Sequence, residues 1–264
     1  MRFIDAAAVG AALAYPKLVD VLEDAFRAGA VSPPRHHHAV KLDGRPDATF
    51  LLMPAWSTSA PGAEIAGDYM GVKSVTVFPD NAQFGKPAVH GMYLLLSAKT
   101  GEAVAVMDAT SLTVWRTAAA SALASRFLSR PDTSRMVMVG AGALAPYLIR
   151  AHASVRPIRD VVIWNRSLPR AEAARAQLAD SGLNVTVTTN LEAAVRDADL
   201  VSTATISSEA LVKGAWLKPG CHVDCVGAFL PTMRETDDEV LRRARIWVTP
   251  WRGLSARRVI LSCR

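Results

Sequence analysis

Gly140-Ala141-Gly142-Ala143-Leu144-Ala145 reads as G-x-G-x-x-A. It follows the apolar run Arg135-Met-Val-Met-Val139, which suits a buried parallel strand. A helical stretch over 143–153 comes next. In that context each small residue has a task. Gly140 permits the tight turn, Gly142 lets the backbone approach a pyrophosphate, and Ala145 allows close helix–strand packing. The helix N-terminus, from Ala143, offers unpaired N–H groups and partial positive charge to the phosphates. The motif points to a dinucleotide.

Trp164-Asn165-Arg166-Ser167 closes the next strand, and Arg170 lies one turn further on. Sites for NAD usually place Asp or Glu here to take the ribose 2′-hydroxyl. This chain has no carboxylate there to repel a 2′-phosphate. Asn165 and Ser167 can donate hydrogen bonds, and Arg166 presents a planar fork to phosphate oxygens. A charge-assisted hydrogen bond contributes about 1.5–3 kcal/mol. The expected cofactor is therefore NADP(H), with NAD(H) as the alternative. Thr203, Thr205, Val226 and Gly227 fall at the ends of two later strands. They complete the expected cofactor contacts, because open parallel sheets bind ligands beyond their carboxyl ends.

Three cations stand on separate elements of the first half. Arg35 follows a rigid Pro-Pro, Lys73 interrupts an apolar strand, and Arg116 lies on a helix of small residues. A lone lysine in an apolar strand is costly unless paired or functional. His90, on a strand beyond the 79–87 loop, is a second candidate for proton transfer. His36-His37-His38 makes a poor chelate, because neighbours on a strand point to opposite faces. Cys221-x-x-x-Cys225 lacks a second ligand pair and reads as core packing. No metal is expected.

The elements that must position these residues divide the chain in two. Strand-like runs at 39–42, 49–53, 70–78, 89–97 and 103–108 are separated by short turns, which predicts a largely antiparallel or mixed sheet. A long alanine-rich helix follows, capped by Thr110 or Ser111 and running to about Leu128. Strands then alternate with helices as far as Val248. The fold class is α/β: a Rossmann-type doubly wound parallel sheet beside a smaller α+β domain. The expected domains are 1–125 and 126–248, the second for the dinucleotide. Near the N-terminus, Leu18, Val21, Leu22, Ala25 and Phe26 recur at helical spacing, and Pro33-Pro34 ends that helical region.

Composition narrows the classes. Half of the 264 residues are hydrophobic and 20% are charged, as in ordinary globular proteins. No run reaches the roughly 20 apolar residues that span a bilayer. Three cysteines make no disulfide framework, so a cytoplasmic location is expected. The net charge of +6 comes from residues 241–264, which hold seven arginines and no acidic residue. That is a solvated basic tail rather than a nucleic-acid surface, and 249–264 is expected to be loosely packed.

Met70-Gly-Val-Lys73, Leu112-Thr-Val-Trp-Arg116-Thr117-Ala-Ala-Ala-Ser121, Val139-Gly-Ala-Gly142 and Val226-Gly227-Ala228 together resemble the ornithine cyclodeaminase/mu-crystallin family. The resemblance extends to about Val248. It implies that residues 1–125 serve substrate binding and dimerisation, in a homodimer whose Arg35, Lys73 and Arg116 bind the substrate's α-carboxylate. Lys73 would also transfer a proton, and Thr117 would lie near the cofactor phosphates. Cyclodeaminases of this family carry an acidic residue soon after Val-Gly. Here Phe229 takes that place, and an apolar ring cannot pair with an ammonium. Pro231-Thr-Met-Arg234-Glu235 resembles the reductase branch. The expected activity is NADPH-dependent reduction of Δ1-pyrroline-2-carboxylate or Δ1-piperideine-2-carboxylate. An ammonia-releasing, NAD-dependent cyclodeaminase and a non-catalytic NADPH-binding protein are the alternatives. The segment 249–264 does not resemble the family's continuation.

Overall fold

The computed structural model describes residues 1–59, 66–228 and 231–248, and the backbone of 259–263. The chain divides into two compact units, Met1–Arg116 and a second that begins at Thr117. The divide falls inside the long helix, earlier than the expected 125/126.

The first unit starts with β1 (Arg2–Ile4), α1 (Ala6–Ala12) and α2 (Tyr15–Ala28). Asp5 caps α1, its Oδ1 accepting from Ala8 N at 2.8 Å. Tyr15 and Val19 are the residues that α2 buries, whereas Val21 and Phe26 of the expected stripe are exposed. Gly29, at φ +88°, ends α2 before Pro33 is reached.

The strands β2 (Ala30–Val31), β3 (His36–Val40), β4 (Ala48–Thr58), β5 (Ala66–Val77), β6 (Val89–Ser97) and β7 (Ala103–Asp108) follow. They form a seven-stranded sheet in the order β1-β7-β6-β5-β4-β2, with β3 also on β4. Every pair in it is antiparallel except β1 with β7. Strand alternation puts Lys73, Val75 and Val77 on one face and Ser74 and Thr76 on the other.

The helix α3 (Ala109–Leu128) follows directly on Asp108, whose Oδ1 accepts from Ser111 N at 2.6 Å. This corrects the expected cap: Thr110 and Ser111 lie within the first turn, and the carboxylate before them takes the free N–H.

In the second unit come β8 (Arg135–Val139), α4 (Ala145–Ala153), β9 (Asp160–Trp164), α5 (Leu168–Ala176), β10 (Asn184–Thr188), α6 (Leu191–Asp197), β11 (Leu200–Thr203), β12 (His222–Cys225), α7 (Asp238–Arg243), β13 (Ala244–Val248) and β14 (Val259–Cys263). The sheet order is β10-β9-β8-β11-β12-β14-β13. The first five strands are parallel, so the chain reverses direction across the sheet between β8 and β11. That is the switch point where doubly wound sheets receive ligands. Val137, Val139, Val201 and Val223 from three adjacent strands share one core with Val195, Val240 and Cys221. Cys221 is thus a packing residue, as read from the sequence.

The expectation of a loose tail is corrected for 259–263. These residues pair antiparallel with both β12 and β13. Val-Ile-Leu has high strand propensity, and a strand flanked on both sides satisfies its backbone groups. The remainder of the tail lies outside the described residues.

A buried polar cluster sits within this unit. Asp224 of β12 is fully buried and accepts from Ser121 Oγ at 3.1 Å and Ser202 Oγ at 3.0 Å. His152 Nε2 lies 3.3 Å from its Oδ2. His222 is also fully buried, and neither ring nitrogen has a protein partner among the described residues.

Candidate functional site

The first unit carries the cations. Lys73 lies mid-strand in β5, between Met53 of β4 and Tyr93 of β6. Its Nζ donates to Thr113 Oγ1 at 3.2 Å, and that hydroxyl donates to Ala109 O at 2.5 Å. Thr113 therefore turns a lone pair toward the amine. Arg116 follows Thr113 by three residues on α3, nearly one turn, so both project to one side. Arg35 immediately precedes β3, whose first residue pairs with Leu52, the neighbour of Met53. The three cations converge closely enough to interact: burial first, then the charges of Arg116 and Arg35, lower the Lys73 pKa to about 8. Burial and like charge both favour the neutral amine. A bound carboxylate would oppose the like-charge effect and favour the ammonium. What this cluster can do is hold an anion and pass a proton near neutral pH.

His90 does not join it. The register pairs His90 with Thr76, on the face of the sheet opposite Lys73. That corrects its candidacy: Thr76 lies three positions after Lys73, an odd step, and side chains alternate.

The second unit carries the glycine loop, and each small residue there has a distinct reason. Gly140 has φ +107°, and a Cβ on it would lie 2.7 Å from Ala204 O. A Cβ at Gly142 would meet nothing within 4 Å. Open space above an exposed backbone that leads into a helix is what a pyrophosphate needs, so the residues present fit a dinucleotide. Ala143 is exposed beside it, and Ala145 is fully buried where α4 starts. At the end of β9, Asn165 Nδ2 donates to Ser167 O at 3.0 Å, which fixes the turn. Ser167 makes no side-chain capping bond to α5, and Arg166 and Arg170 are exposed. Thr117 is buried at the start of this unit.

Gly140→Ala should cost about 1–3 kcal/mol of stability, from backbone strain at a positive φ plus the clash with Ala204. Urea unfolding measures this; a midpoint equal to the parent's would mean that the loop relaxes freely.

Two expected contacts are corrected. Thr203 is fully buried, with Oγ1 3.5 Å from Asp224 O, so its side chain is spent inside the sheet. Gly227 was expected among the cofactor contacts at a strand end. Instead, a Cβ there would lie 2.1 Å from Thr205 O and 2.6 Å from Glu235 Oε1, so the chain's own atoms occupy that space. Val226 N donates to Thr203 O at 2.9 Å. Phe229 lies outside the described residues.

Sequence reasoning missed Thr113 and Glu235. Glu235 is 3% exposed, and its carboxylate accepts from Thr205 and Gly227. Thr113 had a usable signal, since it lies within one turn of Arg116. Glu235 falls in the reductase-like segment 231–235, but its role had no local signal, because its partner Thr205 lies 30 residues earlier.

Residues 2–253 match the profile of the ornithine cyclodeaminase/mu-crystallin family. A Delta(1)-pyrroline-2-carboxylate reductase of Colwellia psychrerythraea is 33% identical over 252 residues, covering 94% of this chain and 77% of the relative. Among solved structures, the Thermococcus litoralis Delta(1)-pyrroline-2-carboxylate reductase in complex with NADH and L-proline superposes with TM-score 0.79 at 26% identity, over 92% of this chain and 74% of that one. An archaeal alanine dehydrogenase dimer with bound NAD gives TM-score 0.81 at 28% identity, over 95% and 74%. The chain thus spans about three quarters of the length of each of these three proteins.

Proposed function

Because the chain belongs to the ornithine cyclodeaminase/mu-crystallin family, we propose that it reduces a cyclic imino acid with NADPH. The substrate is Δ1-pyrroline-2-carboxylate or Δ1-piperideine-2-carboxylate, and the product is proline or pipecolate. The observation that carries this reading is the convergence of Arg35, Lys73 and Arg116, where burial and then the charges of Arg116 and Arg35 lower the Lys73 pKa to about 8. A carboxylate bound there is attracted by the three cations, and an ammonium on Lys73 supplies the proton that the imine nitrogen gains. A nicotinamide cofactor, when bound, supplies the hydride, and the protein's part is orientation and electrostatics. In the second unit, Gly140, Gly142 and Ala143 would face the pyrophosphate, and Arg166, with Ser167 and Arg170 nearby, the 2′-phosphate. Phe229 would exclude water and favour an apolar ring. We place the enzyme in the cytoplasm as a homodimer. The dimeric archaeal relative supports the assembly, and the lack of any helix among the described residues long and apolar enough to cross a membrane fits the location.

The test is isotopic. With NADPH deuterated stereospecifically at C4, one deuterium should appear at C2 of proline or pipecolate. Proline formed from ornithine with ammonia release and no net NADPH use would establish the cyclodeaminase instead.

Arg166→Ala should weaken NADPH by about tenfold or more, since a hydrogen bond to a charged group is worth about 1.5–3 kcal/mol. NADH, which has no 2′-phosphate, should be little affected. Fluorescence titration with both cofactors reads this directly, and equal losses would remove Arg166 from the 2′-phosphate site.

A further inference from the structure

Glu235 places a buried carboxylate between the ends of two neighbouring parallel strands. Its Oε1 accepts from Thr205 N at 2.7 Å and Thr205 Oγ1 at 2.9 Å, just beyond β11. Its Oε2 accepts from Gly227 N at 2.8 Å and Ala228 N at 3.3 Å, just beyond β12. One side chain thus takes four donors from two loops. Charge-assisted bonds of this kind are roughly twice as strong as neutral ones. The fit is tight on every side. A Cβ at Gly227 would meet Thr205 O at 2.1 Å and Thr205 N at 2.3 Å. A Cβ at Gly140 would meet Thr205 Cγ2 at 3.0 Å, so the Thr205 loop also abuts the glycine loop. The main chain holds Glu235 in place: its carbonyl accepts from Leu211 N and Val212 N, each at 3.0 Å.

We infer that Glu235 is a positioning residue that fixes the carboxyl ends of β11 and β12 where the nicotinamide half of the cofactor binds. The inference rests on the cofactor reading above. Three backbone N–H groups, of Thr205, Gly227 and Ala228, are committed to Glu235. These strand ends are left with carbonyl oxygens to offer, which suits the NH2 of a neutral carboxamide. The adenosine half, held by the glycine loop and Arg166, does not depend on the staple.

The test compares whole cofactor with fragment. Glu235→Gln keeps the shape but replaces one accepting oxygen with an NH2, so one pair of donors loses its acceptor. It should weaken NADPH by about tenfold while leaving 2′,5′-ADP, which has no nicotinamide, within about twofold. kcat should fall more than KM for the imine changes. In cofactor-free protein, amide exchange at Gly227 and Ala228, or at Thr205, should quicken. Thr205→Val keeps the Thr205 N bond and removes the hydroxyl, which donates to Glu235 at 2.9 Å and accepts from Ser207 N at 3.5 Å; it should give the same pattern at smaller amplitude and carries the test if the glutamine variant does not fold. Equal weakening of NADPH and 2′,5′-ADP, or no change in either, would overturn the assignment while the cofactor reading stands. Failure of the parent to bind NADPH or NADH at all would overturn both.

Discussion

Replacing Lys73 with methionine should lower kcat/KM for imine reduction by about a hundred- to ten-thousandfold, the range that positioned proton transfer contributes. Methionine nearly matches the stem's volume, so the strand and its pairing with Met53 and Tyr93 should persist. The parent should also show a matching pH dependence. The Lys73 pKa of about 8 is depressed by burial and by two arginines, and the reaction proposed above uses the ammonium. Activity is therefore present below about pH 8 and falls as pH rises through it. That limb belongs to kcat/KM, which reports the free enzyme. In the complex, a bound carboxylate raises the lysine pKa, so the corresponding limb of kcat should lie at higher pH. Lys73→Arg, permanently charged, separates the lysine's titration from the substrate's own. A methionine variant that reduces imino acids at the parental rate would sink the assignment.

The second large effect concerns stability. Burial, helped by His152 and Arg156 and opposed by the charge of Asp224, lowers the His222 pKa to about 4. The unfolded chain holds the same group near 6.5. Between these values the unfolded chain takes up a proton that the folded chain refuses. His222 thus leaves stability intact above about pH 6.5 and drains it as pH falls toward 4, by on the order of 3 kcal/mol in full. Urea unfolding from pH 7.5 to 4.5 should show the decline, and His222→Leu should flatten it. At pH 7.5 the same variant should be no less stable than the parent, because it removes two buried nitrogens that lack protein partners. Parallel pH slopes for parent and variant would rule out His222 as the source.

Legibility followed the range of each signal. The strands at 89–97 and 103–108 have the bounds read from the sequence, because turn residues and periodicity are local. The Gly140 turn was equally local, with one strand before it and one helix after it. The cation cluster was legible as three unusual residues, but their convergence depends on the register of β4 with β5, and sequence gives no register. Register also decided against His90, since a shift of one residue would have moved it to the Lys73 face. Gly227 was read as a ligand contact because it ends a parallel strand, whereas Thr205 and Glu235 fill the space a side chain would take. β14 was missed because its charged flank, Arg257-Arg258, masked a short apolar run.

The sheet of the second unit is not assembled in the order in which its strands are synthesised. β14 follows β13 in the chain but lies between β13 and β12. Until residues 259–263 have emerged, β12 presents an open edge and β13 has no neighbour to join. An unpaired edge on a nascent chain is a template for misassociation. A ribosome that stalls shortly after Val248 would therefore hold a chain whose dinucleotide loop is complete in sequence but whose sheet is still open on one side.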